Sequence, residues 1–326
     1  MARKLISVCI TTFNESEETI NKLLKALDSQ TLKADEVIIV DATEYRLPRR
    51  IASRNDTASN YKLISRTGVS RAEGRNIAIK KAKNEIIAIT DAGCTPHKDW
   101  LEKLVKPFKI ATASPRNDTM INRNDIVVAG GYRMVAHNSF EKAEAIFLGV
   151  SSKNIKEDFL PSARSMAFTK TIWKKAGGFP ENLDDTAEDT VFNLNLLRSG
   201  AKFVAAKNAV VDWYMPTTIK SFYLKIKNYA KGDAQSSVWW HPIKKYKTHN
   251  IKVLTIFARY ILALVLLRFG YWYLFVFIGI YSIWAFMKAG WWGIILQFTS
   301  DFAAMFGFVS GIRLLRFARN DRSGRI

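Results

Sequence analysis

Apolar and polar positions along the first half of the chain alternate between short unbroken runs and helical stripes. Leu5–Thr11 (LISVCIT) is a continuous apolar run rich in β-branched residues, which predicts a strand. Asn14 or Ser16 can cap a following helix, with Glu15, Glu17 and Glu18 in its first turn. Ile20, Leu23, Leu24 and Leu27 then recur at i, i+3, i+4 and i+7, one buried face. Val37–Val40 (VIIV) predicts the next strand, with Asp41 immediately after it. Arg71–Lys83 reads as a helix and Glu85–Thr90 (EIIAIT) as a third strand, followed at once by Asp91. Strands apolar on both faces, alternating with helices, predict a mainly parallel sheet flanked by helices. Such sheets bind ligands at the carboxyl ends of their strands, where Asp41 and Asp91 both fall.

Further on, Gly177-Gly178-Phe179-Pro180-Glu181 precedes Ala187-Glu188-Asp189-Thr190 and the helical stretch VFNLNLLRSG. Val191, Leu194 and Leu197 are expected to form its apolar side, and Gly200 to stop it. Glu188 and Asp189 open this helix, where acids also simply favour the helix dipole. Pro161–Met166 is expected to lead into a helix. Residues 44–60 and 111–124 are polar without periodicity and read as loops.

The last quarter of the chain differs in kind. Between residues 253 and 317 the charged side chains are only Arg259, Arg268, Lys288, Asp301, Arg313 and Arg316. Residues 270–288 and 291–311 are each long enough to span a bilayer, joined by a tight connection at Lys288-Ala289-Gly290. Residues 253–269 are interrupted by Arg259 and Arg268 and either span or lie at the interface. Trp272, Trp291 and Trp292 stand at segment ends, where aromatic belts form. The tail carries Arg313, Arg316, Arg319, Arg322 and Arg325, which prefer the cytoplasmic side. With body and tail on one side the crossings are even in number. Two crossings, by 270–288 and 291–311, with 253–269 lying flat, are therefore favoured over three. The division expected is an α/β domain over 1–215, a basic juxtamembrane segment over 216–252, membrane helices over 253–312 and a basic tail over 313–326.

Composition sharpens this picture. Hydrophobic residues are 48% of the 326, too many for a disordered chain. Two cysteines exclude a disulfide framework and a four-cysteine zinc site. The opening MARKLISVCITTFNE turns polar before any apolar core builds, which predicts a body that stays in the cytoplasm with thiols reduced. The net charge is +20. Lys220, Lys225, Lys227, Lys231, Lys244, Lys245, Lys247 and Lys252 crowd the approach to the apolar tail, so anionic lipid is the expected partner. No base-reading motif accompanies the charge, and no nucleic-acid partner is expected.

The chain has no G-x-G-x-x-G after its first strand, no G-x-x-x-x-G-K-[ST] and no G-x-S-x-G. That speaks against a dinucleotide-binding Rossmann site, a P-loop NTPase and an α/β-hydrolase. The pieces it does have, taken in order, resemble the family-2 glycosyltransferases of GT-A fold. They are Thr11-Thr12-Phe13-Asn14-Glu15, Asp41, Arg71 with Gly74-Arg75-Asn76, Asp91-Ala92-Gly93, Gly177–Glu181 and Glu188-Asp189. Membrane helices after the catalytic domain also occur in that family.

The resemblance implies roles. Thr11, Phe13, Glu15 and Asp41 would hold the base and ribose of a nucleotide-sugar donor, with Arg71 and Arg75 near the ribose or diphosphate. Asp91 would be the first carboxylate of the Asp-x-Asp motif, working with Mg²⁺ or Mn²⁺ at the diphosphate. Asp189, beside Glu188, would be the catalytic base of an inverting displacement. Arg164 would face the donor phosphates or the acceptor. Two departures stand out. Gly93 occupies the place of the second acid, so water or an unplaced group is expected to fill that position, with His137 or His241 as weak candidates, and Cys94 reads as a packed thiol because hard cations prefer oxygen. Gln235-Ser236-Ser237-Val238-Trp239 has Val where the processive synthases carry Arg, which favours non-processive transfer. The acceptor expected is a lipid-linked saccharide or another envelope glycan precursor. The oligomeric state, the sugar and the nucleotide are left open. The alternatives are a processive polysaccharide synthase and a membrane-anchored binding protein that has lost catalysis. A sugar-phosphate nucleotidyltransferase would need a Gly-rich basic loop after the first strand, which TTFNES lacks.

Overall fold

A computed structural model describes residues 5–43, 60–110, 122–149, 160–183, 186–240 and 248–323, with side chains to Arg313. Of the expectations above, the loops over 44–59 and 111–121, His241 and the lysines at 244, 245 and 247 lie outside the described residues. The chain divides into two compact units.

The first unit carries one eight-stranded sheet. Its opening strand, β1 (Ile6–Thr12), is buried along its whole length, as its unbroken apolar run requires. Ser16 caps α1 (Glu17–Asp28) by accepting from the Thr19 N–H at 3.3 Å, while Asn14 adopts the left-handed conformation of a turn. Ile20, Leu23, Leu24 and Leu27 are buried. Next come β2 (Glu36–Asp41), β3 (Tyr61–Ser65), α2 (Arg71–Lys81) and β4 (Ile86–Ile89). A capping box between Ser70 and Glu73 starts α2 at Arg71.

The remainder of this unit comprises β5 (Cys94–Pro96), α3 (Trp100–Ile110), β6 (Ile126–Val135), β7 (Met166–Thr169), α5 (Lys170–Lys175), α6 (Glu188–Arg198) and β8 (Lys202–Tyr214). The strand order is β3-β2-β1-β4-β7-β6-β8-β5. The β3-β2-β1-β4 half is parallel, whereas β7 runs antiparallel to both β4 and β6. Phe168 of β7, Phe179 and Phe192 of α6 form an aromatic cluster, with Phe179 and Phe192 stacked at 4.0 Å. It fixes the start of α6 against the sheet.

Two local expectations are corrected. Pro161–Met166 leads into a strand, because Met166–Thr169 is fully buried and pairs on both sides before α5 begins. The buried side of α6 is Phe192, Asn193 and Leu196 with Leu194, while Val191 and Leu197 are only half-buried. Phe192 is the larger apolar surface and turns the helix toward the aromatic cluster.

The second unit is built on the helices α4 (Ser139–Leu148), α7 (Ile219–Ser236), α8 (His249–Phe269) and α9 (Tyr271–Ser323). The unit boundary therefore assigns α4 to the helices, although the sequence division places it within 1–215. α9 is broken at Ala289 and Gly290, which leave helical backbone angles and divide it into two arms. The break falls at the predicted Lys288-Ala289-Gly290 connection. Two helical stretches, His249–Phe269 and Tyr271–Arg313, are long and apolar enough to cross a membrane.

Candidate functional site

Parallel pairing brings the carboxyl ends of β2, β1 and β4 side by side, with Thr12 opposite Asp41 and Cys9 opposite Ile89. Asp41 is buried. It accepts from the Thr12 hydroxyl at 3.0 Å and from the Thr43 N–H and hydroxyl at 3.1 and 2.6 Å. Thr11, one residue earlier, is buried with no hydrogen-bond partner for its Oγ1. α2 crosses close to it. A Cβ on Gly74 would lie 2.4 Å from the Thr11 Cγ2, so only glycine permits this approach. Just beyond β1, the Phe13 N–H donates to Glu15, and the Arg71 guanidinium lies 5.3 Å over the Phe13 ring. Burial pushes the Glu15 carboxyl up, with the Phe13 N–H and Arg71 opposing and Asp91 adding to the rise.

Arg75, one turn further along α2, is the centre of the arrangement. Its side chain is 5% exposed. It donates from Nη2 to the Asp91 Oδ1 at 2.7 Å and from Nη1 to the Glu188 Oε1 at 2.5 Å, and it stacks 5.5 Å over Phe179. One guanidinium fork thus ties the turn after β4 to the first turn of α6. Burial opposes the Asp91 charge, but Arg75, Arg164 and Arg71 outweigh it and hold its carboxyl below the ordinary carboxylate range. Asp91 is nonetheless 34% exposed and open to a ligand. The Arg75 guanidinium bonds two carboxylates, and through Asp91 it stands beside the position that the resemblance gives to the diphosphate.

Asp189 follows Glu188 on α6, half-buried, and accepts from the Ala163 N–H at 3.4 Å. Burial and the neighbouring Glu188 push its carboxyl up to about 6, with Arg164 and Arg75 opposing and Asp91 assisting. Arg164 lowers the proton affinity of both Asp91 and Asp189. Its guanidinium stacks 3.9 Å over Trp213 and 5.5 Å over Tyr132, and its Nη1 donates to the Ser162 hydroxyl at 3.0 Å. Asp91, Arg75, Glu188, Asp189 and Arg164 therefore share one electrostatic neighbourhood. Asp41 stands two strands from β4 on the same rim, engaged with its threonines.

Sequence reasoning assigned no role to several supporting residues. Asn76 is buried and fully engaged: it donates to the Phe179 carbonyl at 2.8 Å and to Glu181 at 2.7 Å, and accepts from the Phe179 N–H at 2.9 Å and from Trp173 at 3.2 Å. It clamps the Gly177–Glu181 loop beneath Arg75. The signal was present as Gly74-Arg75-Asn76, without a partner to read it against. Trp213 and Tyr132 had no sequence signal, because their strands were not recognised.

The donor set for a divalent cation is thin. Among the described residues no three His, Cys, Asp or Glu side chains gather to hold a metal. Cys94 is buried in β5, and the His137 ring lies 3.1 Å from Glu141 in the helical unit. A Cβ on Gly93 would meet nothing within 4 Å, so the space of the missing acid is open. Asp91 alone suits a hard cation that takes its remaining ligands from substrate phosphates and water, the usual habit of Mg²⁺.

Residues 7–114 match the model of glycosyl transferase family 2. The glycosyltransferase AglE of Haloferax volcanii is 35% identical over 102 residues, 30% of this chain and 33% of its own. The O-antigen chain rhamnosyltransferase WbaN of Salmonella anatum is 23% identical over 63% of this chain and 64% of its own. A dolichyl N-acetyl-α-D-glucosaminyl phosphate 3-β-D-2,3-diacetamido-2,3-dideoxy-β-D-glucuronosyltransferase of Methanococcus voltae is 26% identical over 70% of this chain and 73% of its own. The chain thus spans about a third and just under two thirds of the first two relatives. Among solved structures, the mannosyltransferase PcManGT from Pyrobaculum calidifontis, in complex with GDP-Man and Mn²⁺, superposes with a TM-score of 0.52 at 20% identity, over 72% of this chain and 63% of that one. GalNAc-T7 with UDP, GalNAc and Mn²⁺ gives 0.52 at 14% identity, over 77% and 51%. These likenesses establish the GT-A fold.

Proposed function

We propose, from the premise that residues 7–114 belong to glycosyl transferase family 2 on a GT-A fold, that this protein is a membrane-anchored inverting glycosyltransferase. The observation that carries the reading is the Arg75 fork. It joins Asp91, at the carboxyl edge of the parallel strands, to the helix turn that bears Asp189. A nucleotide-sugar donor lies across the strand ends, its base and ribose toward Thr11, Phe13, Glu15, Asp41 and Arg71. Asp91 would hold Mg²⁺ or Mn²⁺ at the diphosphate, where a cation supplies stabilisation of the leaving-group charge. Arg164, held flat on Trp213, adds a fixed positive charge on the same side.

Asp189 is the general base. With its carboxyl at about 6 it stays mostly ionised at pH 7 yet has a higher proton affinity than a free aspartate, as a base near its working pH requires. It takes the acceptor hydroxyl proton as that oxygen attacks the anomeric carbon. The bond to the diphosphate oxygen breaks on the opposite face, so configuration inverts in one displacement. A lipid-linked saccharide is the acceptor this reading favours. The M. voltae relative is named for a dolichyl phosphate acceptor, the apolar helices expose Leu264, Phe269, Trp272 and Phe275, and α7 carries Lys220, Lys225, Lys227 and Lys231. Anionic lipid is the surface those lysines meet, with the first unit on the cytoplasmic side. Transfer is non-processive, in keeping with Val238.

The test uses UDP-, GDP- and dTDP-linked hexoses with membrane-extracted lipid-linked saccharides. Asp189→Asn should abolish turnover while nucleoside diphosphate binding persists, and the product's anomeric proton coupling should report inversion. A retained configuration, or an Asp189→Asn protein of normal activity, overturns the assignment.

A further inference from the structure

Composition alone makes the second arm of α9 a good spanning segment, but its packing argues otherwise. Over residues 292–312 this arm is covered on one side by two helices rich in charge. Trp292 meets Phe140 of α4 at 4.9 Å, and Leu296 is buried with Phe222 of α7. Further along, a Cβ on Gly307 would lie 2.1 Å from the Lys227 carbonyl, and one on Gly311 2.4 Å from the Lys231 carbonyl. Backbones approach this closely only where small residues line the contact. Lys225, Lys227 and Lys231 of α7 are half-exposed, and the carbonyls of the last two touch the arm, so a crossing arm would take three lysine-bearing positions of α7 into the bilayer beside it. Lysines at hydrocarbon depth are strongly disfavoured. The opposite side of the arm exposes Trp291, Ile295, Phe302 and Phe306. One face protein and one face bare apolar surface is the pattern of a helix lying in the interface.

The remaining apolar helices differ. From Ile261 through Ile280, α8 and the first arm of α9 expose large apolar side chains, including Leu264, Phe275 and Val276. Lys252 to Gly270 and Tyr271 to Lys288 each extend about 25–27 Å at 1.5 Å per residue, close to the hydrocarbon thickness. Arg268, Tyr271, Trp272 and Tyr273 cluster at the turn between them, a composition suited to a far headgroup region. A polar hub ties these limbs to the flat arm. Asp301, 1% exposed, accepts from Tyr281 at 2.5 Å, Gln297 at 2.9 Å, Arg259 at 3.1 Å and Tyr260 at 3.2 Å. Arg259 and Tyr281 each stand seven residues from the limb bases at Lys252 and Lys288. That is about 10 Å deep, the depth an interfacial helix reaches.

We infer that the crossing pair is 252–270 and 271–288, and that 291–313 lies flat on the entry face of the bilayer, pinned through Asp301. This exchanges the roles of 253–269 and 291–311 expected from composition, and it rests on the membrane reading above. Single cysteines at Lys62, Trp272 and Arg313 test it in proteoliposomes of anionic lipid, with Tyr273→Cys as a second turn variant. Native Cys9 and Cys94 are buried and should stay silent. A membrane-impermeant maleimide should modify Arg313→Cys in the same fraction of molecules as Lys62→Cys, and Trp272→Cys in the complementary fraction, rising to full reaction on permeabilisation. Arg313→Cys tracking Trp272→Cys would mean that the arm crosses, and would overturn the inference. So would a turn cysteine that tracks Lys62→Cys, or one that stays unreactive after permeabilisation. Protein that fails to float with the liposomes overturns the membrane reading itself, which separates the two failures.

Discussion

Arg75→Gln removes the cation that is hydrogen-bonded to two carboxylates on separate elements. Asp91 is a third exposed, so water recovers part of its solvation. Glu188 is 9% exposed and does not share that relief. Removing one partner of a buried ion pair costs about 3–5 kcal/mol, and the partial exposure of Asp91 places this case near the lower figure. At about 2–4 °C per kcal/mol for a domain of this size, the melting temperature should fall by about 6–12 °C. Thermal unfolding in detergent, followed by tryptophan fluorescence, measures it. The decisive arm is the double variant. Because most of the loss is an uncompensated Glu188 charge, Arg75→Gln with Glu188→Gln should recover more than half of it. Arg75→Lys should fall between, since a point ammonium cannot bridge both acids as a fork does. A single-variant shift within error of zero, or a double variant no better than the single, would refute the bracket.

Four further outcomes follow from the same geometry. The acid limb of kcat/KM should sit near pH 6, because the base form of Asp189 is lost as pH falls through that value. Glu188→Gln should move that limb to lower pH and Arg164→Gln to higher pH, since the first raises and the second lowers the Asp189 proton affinity; unmoved limbs in a full pH–rate series would count against Asp189 as base. Gly74→Ala should destabilise by about 1–3 kcal/mol through overpacking against Thr11, outweighing its helix-propensity gain of about 0.5–1 kcal/mol, as read by chemical denaturation. Gly93→Asp should melt like the parent protein, because its Cβ meets open space, and should bind Mn²⁺ more tightly by electron paramagnetic resonance titration.

The β1-α1-β2 and α2-β4 stretches were readable because their strands are unbroken apolar runs and their helices open on Ser16 and Ser70 caps. The acids at strand ends were readable for the same reason: Asp41 and Asp91 interrupt or end apolar runs. β3 escaped notice because Tyr61–Ser65 is a half-exposed edge strand with mixed polarity. β6, β7 and β8 pair over long sequence separations, and four residues of β7 carry no periodic signal. That concealed the Trp213 and Tyr132 plate beneath Arg164. The Arg75 contacts lie 16 and 113 residues away, a pairing no local pattern contains. In the tail, composition identified apolar helices but not which faces they share with protein. The Gly307 and Gly311 contacts with α7 supply that information.

The central claim is that Asp91, Arg75, Glu188, Asp189 and Arg164 form the phosphate and transfer end of one nucleotide-sugar site whose base end includes Asp41. Isothermal titration with UDP, GDP and dTDP in the presence of Mn²⁺ tests it most directly, comparing the parent chain with Asp41→Asn, Asp91→Asn and Asp189→Asn. One nucleotide should bind the parent protein. Asp41→Asn and Asp91→Asn should each weaken it at least tenfold, a loss of about 1.4 kcal/mol, and Asp189→Asn should leave it nearly unchanged. Absence of binding for all three nucleotides, or equal affinity in the Asp91→Asn protein, would contradict the account.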